Sequence, residues 1–185
     1  MATANKSTAS IRFKTRLLRP AKPANASWTF LVLPKAASEK LPTRSMTTVD
    51  GSFDGAPFVA TLEPDGQGSH WLKVDRKLRE AAGAKVGDQV ELEIAPVEQE
   101  AEPKVPADLR KALAGAPEAR AVWKDITAVA RRDWIHWITS PKKPETRVRR
   151  IEVACDKLAN GQRRACCFDR SGMYSNSLAA PEAAD

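Results

Sequence analysis

The chain has 185 residues, a hydrophobic fraction of 42%, and 30 Lys/Arg against 23 Asp/Glu, for a formal net charge of +7. That length holds one ordinary domain or two small ones, and the apolar fraction suffices for a packed core. No apolar run reaches the roughly 18–20 residues of a bilayer span, so no transmembrane segment is expected. The polar stretch from Met1 to Ser10 carries no apolar signal core. Cys155, Cys166 and Cys167 make an odd count without metal-ligand spacing. They are read as reduced thiols in a cytoplasm, with a strained vicinal disulfide between Cys166 and Cys167 as the alternative.

Residues 1–9 read as a frayed tail. Ile11, Phe13, Thr15 and Leu17 alternate with Arg12, Lys14 and Arg16, the pattern of a half-buried strand. Pro20 and Pro23 mark a loop, and Trp28 to Leu33 is a β-favouring run ended by Pro34. Lys35 to Leu41 has room for one helical turn. Met46 to Phe53 and Pro57 to Leu62 flank Asp54-Gly55, a two-residue hairpin signal. After the loop Pro64 to Gly68, a strand at His70–Val74 leads into a polar-capped helix over Asp75–Ala82, stopped by Gly83. A turn at Gly87-Asp88 then opens a strictly alternating strand, with Val90, Leu92 and Ile94 between Gln89, Glu91 and Glu93.

Shifting the chain by 41 positions lays Val32–Leu41 on Lys73–Ala82 and Val49 on Val90. Both copies read strand, helical turn, connector, strand. A real duplication would let the barrel close within one chain and remain monomeric. Ala95 to Pro106, with three prolines and Glu98, Glu100 and Glu102, reads as a solvated linker. Beyond it the period changes from two to 3.6. A short helix starts at Pro106 and ends by Gly115 and Pro117. The next presents Ala119, Val122, Trp123 and Ile126 on one face. Thr127 caps a third, whose stripe of Trp134, Ile135, Trp137 and Ile138 fits the core of a small bundle better than a base-stacking platform. Ser140-Pro141 breaks that helix. Pro144 suits the first position of a last helix, and Asn160-Gly161 its end. The chain after Gln162 reads as a flexible tail.

The segment from Val74-Asp75-Arg76-Lys77-Leu78-Arg79 to Gly87-Asp88-Gln89-Val90 resembles the swapped-hairpin unit of AbrB-like proteins. More fully, Trp28 to Pro34, Asp50-Gly51, Asp54-Gly55 with Pro57-Phe58, Gly66 to His70, Leu78-Arg79, Ala82-Gly83 and Gly87-Asp88 resemble a bacterial β-barrel family of unknown function. That resemblance implies a double-split barrel and brings no active site. The second half is similar to the YdeI/OmpD-associated, or bacteriocin-protection, family. The residues that carry this likeness are Val105-Pro106, Asp108-Leu109, Leu113, Trp123, Trp137-Ile138, Glu145-Thr146-Arg147-x-Arg149-Arg150-Ile151 and Leu158 to Gly161. Members usually place an alanine where this chain has Ser140-Pro141, which puts the start of the last helix in question. The likeness implies a bacterial stress or envelope-defence context and supplies no mechanism.

Catalysis needs a base positioned beside a nucleophile. His70 reads as a turn or rim residue and His136 as part of a solvated helix face. Cys155 reads as a small core residue. Asp50, Asp54 and Asp65, each followed by glycine, read as turns rather than calcium ligands. Neither a phosphate loop nor zinc spacing is present, so neither cofactor nor metal is expected.

Charge is the functional pointer. Residues 1–103 carry 14 Lys/Arg and 13 acids, whereas residues 104–185 carry 16 and 10. From Arg131 to Arg164 ten Lys/Arg face four acids. Lys142, Lys143, Arg147, Arg149 and Arg150 are therefore the candidate polyanion-binding residues, with nucleic acid or an acidic protein as partner and a solvated, ion-paired face as the bland reading. Trp28, His70 and Trp71 form a second candidate, a ligand site in the barrel. The expected protein is α+β and non-enzymatic. It has a double-split-type β-barrel over residues 10–95, a linker over 96–105, an all-α domain over 106–162 and a tail over 163–185.

Overall fold

The computed structural model describes residues 9–165 and 179–185. The chain divides into two compact units, 1–98 with 175–185, and 99–174. The first is a curled antiparallel sheet with two short helices, and the second is built of helices, so the protein is α+β. Among the described residues no helix is long and apolar enough to cross a membrane.

Alternation builds the first unit. In β1 (Ile11–Arg16), Ile11 and Phe13 are buried while Arg12 and Lys14 are exposed. In β6 (Gln89–Pro96), Val90, Leu92 and Ile94 face inward. The two strands pair antiparallel with Phe13 opposite Leu92, so the buried rows coincide. The remaining strands are β2 (Thr29–Val32), β3 (Thr47–Phe53), β4 (Ala56–Pro64) and β5 (His70–Val74), and the sheet order is β1-β6-β3-β4-β5-β2. A bridge between Leu18 and Phe30, with N–H···O distances of 2.8 and 2.9 Å in the two directions, brings the two outer strands together. Helix α1 (Lys35–Ser38) follows Pro34. Helix α2 (Arg76–Ala81) is capped by the Asp75 carboxylate, which accepts from Leu78 N at 2.8 Å. Ile11, Phe13, Leu31, Val49, Phe53, Leu62, Leu72, Val90, Leu92 and Ile94 form the core.

The offset of 41 has a structural counterpart. β2 pairs β5 with Leu31 opposite Leu72, and β3 pairs β6 with Ser52 opposite Glu93. In both pairings a residue meets its own counterpart 41 positions later, which is what a local two-fold requires. The outer bridges match as well, Leu18 with Phe30 in one half and Glu63 with Trp71 in the other. The β4–β5 connection is simply four residues shorter than its counterpart.

The Asp54-Gly55 hairpin forms as expected, with φ of 45° and 83° at the two turn residues. Asp54 also exchanges hydrogen bonds with Glu91, N to O at 2.8 Å and Glu91 N to its own Oδ1 at 2.7 Å. This pins the hairpin tip to β6. Asp50-Gly51, expected as a turn, lies inside β3. Gly51 has no side chain because β6 leaves it no room: a Cβ there would stand 1.9 Å from the Glu93 carbonyl oxygen.

The second unit is α3 (Ala107–Ala114), α4 (Pro117–Asp125), α5 (Ala128–Thr139) and α6 (Pro144–Ala159). Thr127 Oγ1 caps α5 by accepting from Ala130 N at 3.2 Å, and Pro144 opens α6 despite the departure at Ser140-Pro141. Leu109, Leu113, Trp123, Trp134, Ile138, Ile151, Ala154 and Leu158 make its core.

Described parts of the segments expected as linker and tail form contacts, while residues 166–178 of that tail lie outside the described residues. Glu100 and Glu102 pair with Arg132 and Arg131 at 2.7 and 2.6 Å. Residues 180–184 return to the first unit: Ala21 N donates to Glu182 O at 2.7 Å and Ala184 N to Arg19 O at 2.8 Å.

Gly51→Ala is expected to lower stability by roughly 2–3 kcal/mol, since the intruding methyl has backbone and not a flexible side chain to displace. Urea unfolding of the full chain measures it, and a change under about 0.5 kcal/mol would contradict the close approach.

Candidate functional site

Helical phase divides the five candidate cations. Arg147 and Arg150 share the face of α6 that carries Ile151 and Ala154, whereas Arg149 lies on the exposed face beside Val148. Arg147 makes a forked pair with Asp108 on α3, Nε to Oδ2 at 2.7 Å and Nη2 to Oδ1 at 3.0 Å. This pair holds the Asp108 carboxyl below its ordinary range, chiefly through the hydrogen bonds from Arg147. Arg150 donates from Nη1 to the Trp137 carbonyl at 2.6 Å and to Ser140 Oγ at 2.9 Å. Its guanidinium lies 5.1 Å from the centroid of the Trp137 ring. It thereby satisfies a carbonyl that the end of α5 leaves without an intrahelical donor.

The neighbouring arginines are also braces. Arg131 grips Glu102 through two bonds of 2.6 and 2.7 Å and donates to the carbonyls of Trp123, at 3.0 Å, and Ile126. Arg132 pairs with Glu100, and Arg163 with Asp125 at 2.7 Å. Besides Asp133, 3.8 Å from Arg132, the acids that neutralise these groups are Glu100, Glu102, Asp108 and Asp125. These last four lie before residue 131, outside the basic stretch as counted along the sequence. Lys142, Lys143 and Arg149 remain exposed, with no acidic partner among the described residues. Val148, 58% exposed, lies next to Arg149.

His136 is half-buried and not on a solvated face. Its Nε2 is enclosed and lacks a hydrogen-bond partner among the described residues. Beside it, burial pushes the Asp133 carboxyl up, against the opposing pull of Arg132, Arg164 and His136. Trp134, 1% exposed, meets Trp137 edge-on at 5.9 Å, as expected of a bundle core. Cys155 packs half-buried against that core, and burial pushes its thiol up. Cys166 and Cys167 lie outside the described residues.

Trp28, His70 and Trp71 do not converge. Successive residues of a strand point to opposite faces, so His70 is directed away from Trp71. Trp28 and Trp71 flank Phe30, at 6.5 and 6.3 Å between ring centroids, outside the core cluster that holds Leu31 and Leu72. His70 is not a rim residue: it is 1% exposed. Its Nε2 faces the Ser45 carbonyl at 2.9 Å and must carry the proton, so Nδ1 accepts from Ser38 Oγ at 2.7 Å. Ser38, 5% exposed, is the residue that sequence reasoning missed. Its only signal was a polar residue at the end of the α1 turn. Burial moves the His70 pKa down, partly offset by the hydrogen bond to Ser45. Among the described residues no group of three or more His, Cys, Asp or Glu is placed to hold a metal ion.

Comparison with known families divides the chain at the same place as its fold. Residues 13–94 match the model described as domain of unknown function (DUF1905). Residues 102–161 match the model described as bacteriocin-protection, YdeI or OmpD-associated. The two matches lie in series and support a two-domain architecture. No curated protein matches the chain. The OmpD-associated match contains the Asp108–Arg147 pair and the Arg150 clasp, so its basic motif here carries bracing contacts between helices.

Two outcomes follow. Arg150→Ala should destabilise the helical unit by about 1.5–3 kcal/mol, because a charged donor to a helix-end carbonyl is lost, while Lys143→Ala should change it by under about 0.5 kcal/mol. Unfolding followed by tryptophan fluorescence distinguishes the two, and equal effects would contradict the division. His70, with a pKa below its unfolded value near 6.5, binds protons more readily when unfolded. Stability should therefore be full above about pH 6.5 and fall as pH drops from there toward the folded pKa. That slope should vanish in His70→Gln, measured by urea unfolding at a series of pH values.

Proposed function

We propose that the protein is a non-enzymatic binding protein of a bacterial cytoplasm, with a role in stress or envelope defence of the kind the bacteriocin-protection label implies. In this reading the curled sheet is a double-split-type barrel of AbrB-like topology, closed within one chain and serving as scaffold. The pairing of Leu31 with Leu72 and of Ser52 with Glu93, together with the Leu18–Phe30 bridge, supports it. The barrel half is also almost neutral, with 14 Lys/Arg and 13 acids over residues 1–103, which argues against DNA contact there.

The recognition surface is the α5–α6 corner, and its partner is an acidic protein surface. The observation that carries this is the exposed trio Lys142, Lys143 and Arg149 with Val148 beside it, after Arg147 and Arg150 have been spent on internal bonds. Three cations and an exposed valine fit a small mixed patch on a protein. A phosphate backbone is better served by a longer row of cations, since each neutralised phosphate adds about 0.9 to the salt slope. Nucleic acid stays as the second reading, favoured by 16 Lys/Arg against 10 acids after residue 103.

The test is what co-purifies with the full chain at low salt, compared with the triple variant Lys142→Glu, Lys143→Glu, Arg149→Glu. A defined acidic polypeptide that is retained by the parent and lost from the variant is the expected result. Nucleic acid lost in the same way, with a salt slope near three, would replace the protein reading by the second one. Retention of neither, or equal retention by both chains, would remove the corner as a binding surface.

A further inference from the structure

A cavity of about 320 Å³ opens in the first unit between the end of α1 and the turn into β5, walled by Ser38, Glu39, Leu41, Thr43, Arg44 and Gly68. Of the six buried polar residues among those described, four belong to this region: Ser38 on the wall, His70 bonded to it, and Asp65 and Ser69 in the turn into β5. The Asp65 carboxylate accepts from Gln67 N and Ser69 N, each at 2.8 Å, and fixes the turn that presents Gly68. Gly68 lies beside the Arg44 guanidinium, which a Cβ there would approach to 3.7 Å. Thr43 and Ser45 hold one another through their hydroxyls at 2.9 Å.

Glu39 and Arg44 stand on the wall of this one cavity, both exposed. Neither forms an ion pair with the other or with another described residue. Opposite charges at one small opening that do not neutralise each other leave a gap for a ligand bearing both signs.

The fold itself does not demand this chemistry. The position 41 residues before His70 is Thr29, equally buried, whose Oγ1 is satisfied by the Val74 carbonyl at 3.3 Å. The counterpart of Ser38 is Arg79, on the surface of α2. One half of the sheet thus fills the equivalent place with a hydroxyl, and the other builds a serine–histidine–carbonyl relay under an opening lined by charge.

We propose that this cavity binds a free α-amino acid, with its carboxylate on Arg44 and its ammonium on Glu39. The Ser38 hydroxyl, its proton committed to His70, offers lone pairs to the ammonium from the wall. The volume lies at the lower end of the range for small-molecule sites, which suits a ligand of this size. The proposal concerns a different unit from the cationic corner and stands apart from the function assigned to that corner.

NMR of the full chain tests it by following the Arg44 Nε–H signal and the His70 ring nitrogens. The probes are the standard L-amino acids, with acetate and ethylammonium as single-charge controls. At least one amino acid should shift both signals saturably below roughly 10 mM, about tenfold more tightly than either control. Arg44→Ala and Glu39→Gln should each weaken that binding about tenfold while leaving the ligand-free melting temperature unchanged, because both side chains are exposed. No shift of either signal by any amino acid would overturn the site. Acetate binding as tightly as the amino acids would overturn the assignment to a zwitterion.

Discussion

The approach of β3 to β6 at Gly51 sets the geometry of the first unit. Leaving out one Cβ there lets the Glu93 carbonyl come within bonding reach of the opposite backbone. That closeness holds Ser52 against Glu93 and lays Phe53 on Leu92. It also brings the Asp54 turn to Glu91, where two further hydrogen bonds lock the hairpin tip. With β6 held on this side and paired to β1 on the other, the sheet curls until Leu18 meets Phe30. The contact is unforgiving because both partners are main chain. Neither can rotate away as a side chain would.

In the second unit the corresponding constraint is a shortage of donors at helix ends. Helix ends leave carbonyls without an intrahelical partner, and while backbone amides of Gly115 and Ala116 close the end of α3, side chains are recruited at the ends of α4 and α5. Arg131 answers for the end of α4 and Arg150 for the end of α5. A guanidinium suits this task because it stays charged and presents several donors in a fixed fork. The same fork lets Arg131 and Arg147 take a carboxylate from elsewhere in the unit. Arginine content here thus measures the number of helix ends and crossings to be tied, and only the remainder is free to meet a partner.

Element types were legible in the sequence nearly throughout, since a period of two or 3.6 is written in apolar positions and Asp54-Gly55, Asp75, Thr127 and Pro144 punctuate it. The spacing of 41 was legible for the same reason, because strand pairing depends on where apolar residues fall. Tertiary polarity was not legible. Counting charge from Arg131 to Arg164 leaves out Glu100, Glu102, Asp108 and Asp125, which are distant along the chain and adjacent in space. His70 looked like a rim residue because a glycine-rich loop precedes it. Burial of its ring depends on Ser38 and Ser45, 32 and 25 residues away, which no local pattern announces. Asp50-Gly51 was misleading as well, since the same dipeptide marks a turn or a tight strand crossing, and only the partner strand decides which.

The offset of 41 residues gives these observations a common logic. When two similar halves pair about a local two-fold, each needs the same buried rows, and these are preserved as Leu31 with Leu72 and Val49 with Val90. Positions outside those rows can differ between the two halves. Thr29 keeps the economical solution, a hydroxyl bonded to the neighbouring strand. His70 takes the costly one, a buried imidazole that must stay neutral and whose two nitrogens each need a partner from a separate segment, the end of α1 and the stretch before β3. A fold that can be satisfied by threonine gains nothing in packing from this exchange and becomes sensitive to acid. The burden falls on one half alone, beside the opening bounded by Glu39 and Arg44, and that is where chemistry beyond scaffolding would have to be concentrated.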